Sequence, residues 1–412
     1  MKQMKDSGIE WIGDVPQHWN LQKIATLYKV RNQKVSDKDF PPLSVTMKGI
    51  VPQLETAAKT NDGDNRKLVR VGDFAINSRS DRRGSCGISS YDGSVSLINT
   101  VLTPKGEMNP KYYDWLFHTV QFADEYYKCG HGIVDDLWTT TWQEMKRITI
   151  PTPPIDERKK IAEFLDKKCE EVDGLIVDIQ TQIDTLEQYK RSTITEAVTK
   201  GLNPTVKMKD SGLEWVGQIP NHWEMIPNKY LMSKRKIIQP IYKGEDILSL
   251  TVNGVIKRDL ENPSGKMPTS FDGYQVVYPN NLLMCLFDID VTPRCVGVIK
   301  DYGLTSPAYS QFILNEKADT NYYYYYYLSL DFTKELLHLA KNQRHSLNEE
   351  QFGAIKAIVP PIDEQKSIAE YLDKKCAEID ACIEEKKQQI SVLETYKKSI
   401  IFEYVTGKKE VK

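Results

Sequence analysis

Two segments of the chain carry apolar residues in steps of mostly four and three: Val172, Ile176, Ile179, Ile183 and Leu186, then Ile379, Ile383, Ile390 and Leu393. That spacing marks the seam of a coiled coil. Each seam follows one copy of a repeated stretch. Residues 153–173 (PPIDERKKIAEFLDKKCEEVD) return as residues 360–380 (PPIDEQKSIAEYLDKKCAEID), with 16 of 21 positions identical. A helix is expected after each Pro-Pro pair, with Asp156 or Asp363 placed to cap free amides and Glu157 or Glu364 complementing the positive end of the helix dipole. No proline interrupts Asp156 to Lys200, so about 44 residues give a rod of roughly 66 Å.

The repeat extends beyond the helices. Residues 4–19 (MKDSGIEWIGDVPQHW) and 208–223 (MKDSGLEWVGQIPNHW) agree at 11 of 16 positions. Residues 43–51 (LSVTMKGIV) answer 248–256 (LSLTVNGVI), β-branched runs broken by Gly49 or Gly254, which predict strand, turn, strand. Polar turns at 71–73 and 278–281 deliver the chain into buried strands. Aromatic helices are expected over 112–122 and 322–330. Leu137, Trp142, Met145 and Ile148 match Leu347, Phe352, Ile355 and Ile358 at spacings of five, three and three, predicting a last helix that leads into a short strand. The Gly201-Leu202-Asn203-Pro204 segment marks the join.

The expected fold class is therefore mixed α/β (α+β). Residues 1–153 form one globule, 154–207 a long helix and linker, 208–359 a second globule and 360–412 a second long helix. If each helix leaves its own globule, the two can pair only antiparallel, with one globule at each end and a pseudo-two-fold axis between them. Such a chain offers nearly equivalent surfaces to two identical partners. Similar helices with dissimilar globule loops suggest shared parts for common partners and variable parts for two ligands. DNA with two half-sites suits that plan, the globules standing one to two helical turns apart on a duplex rising about 3.4 Å per base pair.

Composition adds exclusions. The chain is 40% hydrophobic and 27% charged, ordinary for a soluble globular protein. Its opening residues lack the apolar core of a signal peptide, and no stretch approaches 18 uninterrupted apolar residues, so a cytoplasmic protein without a membrane span is expected. Seven cysteines with no C-x-x-C pair fit reduced thiols, and Cys169 and Cys376 are read as packing residues. A net charge of −2 does not announce a nucleic-acid binder, so a DNA site must be local.

Between residues 66 and 83 there are six basic and two acidic residues, with Arg79, Arg82 and Arg83 beside Gly84 and Ser85 after a predicted strand. Arginine can pair bidentately with guanine, and lysines can hold phosphates. A solvated charged loop is the competing reading. Lys234, Arg235 and Lys236 lie in a stretch without acidic residues and could track phosphates. Thr46 and Lys48, with Thr251 and Asn253, occupy the repeated hairpin beside its glycine. Shared position with changed side chain is what two specificities need, although a threonine could face the core. Lys257, Arg258, Arg294, Arg344, His131 and His345 add base-reading chemistry on predicted loops, and neither histidine has a second one at metal-ligand spacing. The six tyrosines of 322–327 could stack on bases, but the matching Tyr112, Tyr113, Trp115 and Phe117 favour a helix packed on its sheet.

At the duplicated SG-[IL]-EW-[IV]-G…P-x-HW opening, the PPIDE helix start followed by IAE-[FY]-LDKKC, and the L-E-x-Y-K stretch near each helix end, the chain resembles the specificity subunits of Type I restriction-modification enzymes. The resemblance covers essentially the full length. It implies two target-recognition domains, each reading half of an interrupted, asymmetric double-stranded DNA site, and two helices that set the gap and dock two methyltransferase subunits. It also implies no catalysis and no cofactor in this chain. S-adenosylmethionine would belong to the modification subunits, and ATP and Mg to restriction/translocase subunits. The residues agree: there is no Walker A pattern, the nearest being Gly265-Lys266, and both Pro-Pro pairs precede isoleucine where a methyltransferase would need an aromatic clamp. Two rival readings are a protein-interaction scaffold, which weak, salt-insensitive DNA binding would favour, and an enzyme fused to its own recognition domains, which the missing motifs and the length taken by the repeat disfavour.

Overall fold

The computed structural model describes residues 3–54, 62–106, 108–132, 138–213, 215–263, 268–340 and 345–411. Leu137 and Gly265-Lys266 lie outside them. The chain divides into two compact units, one of residues 1–179 with 387–412 and one of 180–386, with both divisions inside the long helices.

The first unit holds a four-stranded antiparallel sheet in the order Cys86–Ile88, Phe74–Asn77, Asn99–Pro104, Tyr28–Val30. The second repeats it as Val296–Val298, Leu282–Met284, Ser310–Leu314, Met232–Arg235. In each, the N-terminal motif folds as a two-stranded ribbon, Met4–Asp6 with Asp14–Pro16 and Met208–Asp210 with Gln218–Pro220. The strand after it, Asn20–Lys23 or Glu224–Pro227, pairs with the strand that leads into the long helix, Thr149–Thr152 or Lys356–Val359. The expected hairpins are present: Leu43–Thr46 with Gly49–Pro52, and Leu248–Thr251 with Gly254–Lys257.

Aromatic helices cover the sheets. In the second unit Thr320–Phe332 is one helix, and Tyr322, Tyr323, Tyr325, Tyr326 and Tyr327 are buried in its core, so the tyrosine run is packing rather than a stacking platform. The first unit differs from the expected 112–122 helix. Pro110–Phe117 ends at His118, and Thr119 starts a second helix, Val120–Lys128, by accepting the Phe122 N–H on its hydroxyl.

The long helices run Ile155–Lys200 and Ile362–Val405. Because each begins one residue before its aspartate, Asp156 and Asp363 lie in the first turn rather than at the cap. They still oppose the helix dipole. Val172, Ile183, Ile379 and Ile383 of the seam are buried, and Ile176, Ile179, Leu186, Ile390 and Leu393 are half-buried. Within the first unit Phe164 meets Tyr404 at 4.4 Å and Asp173 meets Lys397 at 2.6 Å; within the second Gln182 meets Lys386 at 2.5 Å and Lys190 meets Asp380 at 2.6 Å. One number rises as its partner falls, so the pairing in each unit is antiparallel. Cys169 and Cys376 are buried in the two cores, and burial pushes the Cys169 thiol up to about 11.

Candidate nucleic-acid interface

The repeated motifs hold each unit together. Glu157 sits 2.6 Å from His18 Nε2 and accepts the buried Trp19 indole N–H at 2.9 Å; Glu364 takes His222 at 2.7 Å and Trp223 at 2.9 Å. The next shared carboxylates anchor the aromatic helices: Asp166 accepts from Trp115 at 2.9 Å and Asp373 from the Tyr325 hydroxyl at 2.7 Å. Tyr112 and Tyr322 donate to the carbonyls of Val405 and Val198 near the end of a long helix. The lysine of each L-E-x-Y-K stretch, Lys190 or Lys397, makes the interhelical ion pair above. Arg158, which stands where the second copy has Gln365, contacts the Tyr113 hydroxyl at 3.3 Å and lies over its ring.

What differs between the copies lies elsewhere. Thr46 and Thr251 do not face the core. Each donates its hydroxyl to the carbonyl of the hairpin glycine, Gly49 at 2.9 Å or Gly254 at 3.0 Å, and accepts the N–H of Lys48 or Asn253 at 3.1 Å. Both glycines have positive φ, +104° and +95°, which a side chain would strain. The tips leave Lys48 and Asn253 exposed beside Met47 (71% exposed) and Val252 (56% exposed).

Below the tips the hairpins press on glycines. A Cβ on Gly87 would lie 2.7 Å from Gly49 Cα, and one on Gly297 would lie 2.8 Å from Val255. At the hairpin bases Gly93 faces the Pro41 carbonyl and Gly303 the Asp246 carbonyl, each at 2.5 Å from an added Cβ. Sequence reading missed this clamp, although Cys86-Gly87-Ile88 and Val296-Gly297-Val298 stand at matching places.

Each unit also has a cleft between its sheet and its last short helix. The first, about 500 Å³, is lined by Asn32, Arg79, Ile98, Thr139 and Gln143. The second, about 340 Å³, is lined by Lys234, Phe287, Ser310, Ser346 and Asn348. The strands and capping residues that form them, Thr141 and Asn348, correspond between the units.

The remaining candidates scatter. Arg79 is exposed and its backbone bridges Thr139, which also bridges His131. Arg82 stays near Asp81, whereas Arg83 pairs with Asp124 and lies over the Tyr127 ring. Lys234 approaches Glu349 at 3.7 Å, Arg235 covers Tyr278 at 4.4 Å, and Lys236 is exposed. Lys257 is bound to Asp246 at 2.6 Å, and the Arg258 backbone N–H donates to Ile247. Arg294 reaches the Tyr324 hydroxyl at 3.3 Å, and His345 pairs with Asp290 at 3.0 Å. Arg344 lies outside the described residues. Of the three residues expected to track phosphates, Lys234 and Arg235 lie on the strand Met232–Arg235, where neighbouring side chains take opposite faces, and Lys236 follows it exposed.

Among the described residues no helix is long and apolar enough to cross a membrane, and no group of three or more His, Cys, Asp or Glu could hold a metal ion. The model of the Type I restriction modification DNA specificity domain matches residues 298–394. The chain is 26% identical to the Type I restriction enzyme MjaVIII specificity subunit of Methanocaldococcus jannaschii, over 97% of this chain and 94% of that one. Its fold matches a chain from a structure describing complex assembly and conformational transition of the type I R-M system, with TM-score 0.71, 12% identity, and 95% and 98% of the two chains covered. The HsdS subunit from Thermoanaerobacter tengcongensis matches with TM-score 0.51, 14% identity, and 96% and 98% covered. A specificity-domain match in the second half of the chain, a relative similar over nearly the whole length and a shared fold together make the chain similar to the specificity subunits of Type I restriction enzymes.

Proposed function

We propose that this chain is the DNA-sequence-recognition subunit of a Type I restriction-modification complex and performs no catalysis itself. Each unit reads one half of an interrupted, asymmetric duplex site. The long helices set the gap and dock two methyltransferase subunits, which carry S-adenosylmethionine; restriction/translocase subunits with ATP and Mg complete the complex in the cytoplasm. The observation that carries the reading is the contrast within the duplication. The same ion pairs and tryptophan–carboxylate contacts recur in both units, while hairpin tips and clefts at matching places carry different side chains. A common frame with two different reading surfaces is what an asymmetric bipartite site requires.

The test is co-expression of the full chain with a Type I methyltransferase subunit that co-purifies with it, followed by sequencing of methylated adenines across the host DNA. An interrupted asymmetric motif that depends on this chain is expected. A stable complex with no motif would overturn recognition in favour of a protein scaffold.

A further inference from the structure

Resting on that reading, we infer that the second tip residue of each hairpin, Lys48 in the first unit and Asn253 in the second, is a base-reading residue that sets one position of its half-site. Four observations converge on these two positions. The hairpins are two-stranded ribbons of four-residue strands, a shape the major groove admits. Each tip is pinned by the same threonine–glycine turn. Each ribbon is seated so closely on Gly87 or Gly297 that a side chain there would have no room, which holds the projection rigidly.

The fourth observation is chemical. Most charged candidates already have a partner within their own unit: Arg83, Arg235, Lys257, Arg294 and His345 are each engaged. The side chains of Lys48 and Asn253 are exposed and have no partner among the described residues. They occupy the same place in two otherwise equivalent ribbons and differ in the way that discriminates bases. A lysine ammonium donates to the O6 and N7 of guanine, while an asparagine amide both donates and accepts against N7 and N6 of adenine. The adjoining Met47 and Val252 present the apolar surface that packs on a thymine methyl or a neighbouring base edge. The first unit's half-site thus contains a guanine under Lys48, and the second unit's an adenine under Asn253.

The experiment compares methylated motifs from cells expressing the full chain with its methyltransferase subunit, as wild type, Lys48→Asn, Asn253→Lys, and alanine at each position. Lys48→Asn is expected to change one position of one half-site from G·C toward A·T, leaving the other half and the gap intact. Asn253→Lys should do the converse in the other half. The alanine variants should lower discrimination at that single position by roughly tenfold to a hundredfold. A wild-type motif retained by all four variants overturns the inference while leaving the recognition role standing. Loss of both half-sites with an unchanged melting temperature also overturns it. A wild type that yields no motif brings down the recognition reading and this inference together.

Discussion

Glu157 shows how much one side chain does at the start of a long helix. It stands in the first turn, where a carboxylate complements the dipole, and it also satisfies the indole N–H of a tryptophan that is 2% exposed. Glu157→Ala should leave that donor unpaired and cost about 1–2 kcal/mol, a drop of a few degrees in melting temperature by calorimetry. Asp92 acts in a loop of the same unit. Its carboxylate accepts the Val71 N–H at 2.9 Å and the Arg70 guanidinium at 2.6 Å, which hold its pKa below the ordinary carboxylate value of 3.8. The stability this contributes is present above pH 3.8 and is lost as pH falls through the depressed value. Asp92→Asn should flatten that part of the acid-unfolding curve followed by tryptophan fluorescence, and an unchanged curve would refute the role. The acidic first turn was legible beforehand, because it depends on neighbours in sequence. The tryptophan contact was not, since its partners are 138 residues apart.

At the scale of elements, the helix pairs were the most readable feature, because a seam repeats many times and each repeat reports the same face. Their ion pairs, between side chains 27–57% exposed, contribute little stability and mainly fix register. One position works against the first helix. Gly174 is exposed inside Ile155–Lys200, and an added Cβ there would meet nothing within 4 Å. Gly174→Ala is therefore expected to raise stability by about 0.5–1 kcal/mol, measured by thermal melting of the full chain. The hairpins were legible as strand, turn, strand. Their seating was not, because a glycine's close approach to another strand leaves no local periodicity to read.

For the whole molecule, the decisive fact is that each compact unit draws on both halves of the chain: the last residues of the second helix belong to the unit formed by the chain's beginning. If the helices act as spacers, inserting four residues near Glu196–Lys200 adds about 6 Å of helix. The gap in the methylated motif should lengthen while both half-sites persist, and an unchanged gap would refute the spacer role. Sequence alone determined the duplication, the helix pair, the hairpins and the family resemblance, because these are written in local spacing and in identity between two copies of one chain. Only the tertiary structure decided which polar residues are available. Arg83, Lys257 and Arg294 looked as suitable as Lys48 or Asn253 until folding brought Asp124, Asp246 and Tyr324 beside them. A charge is free or committed according to what the chain places next to it, and those neighbours come from 11 to 41 residues away, beyond the reach of any local pattern.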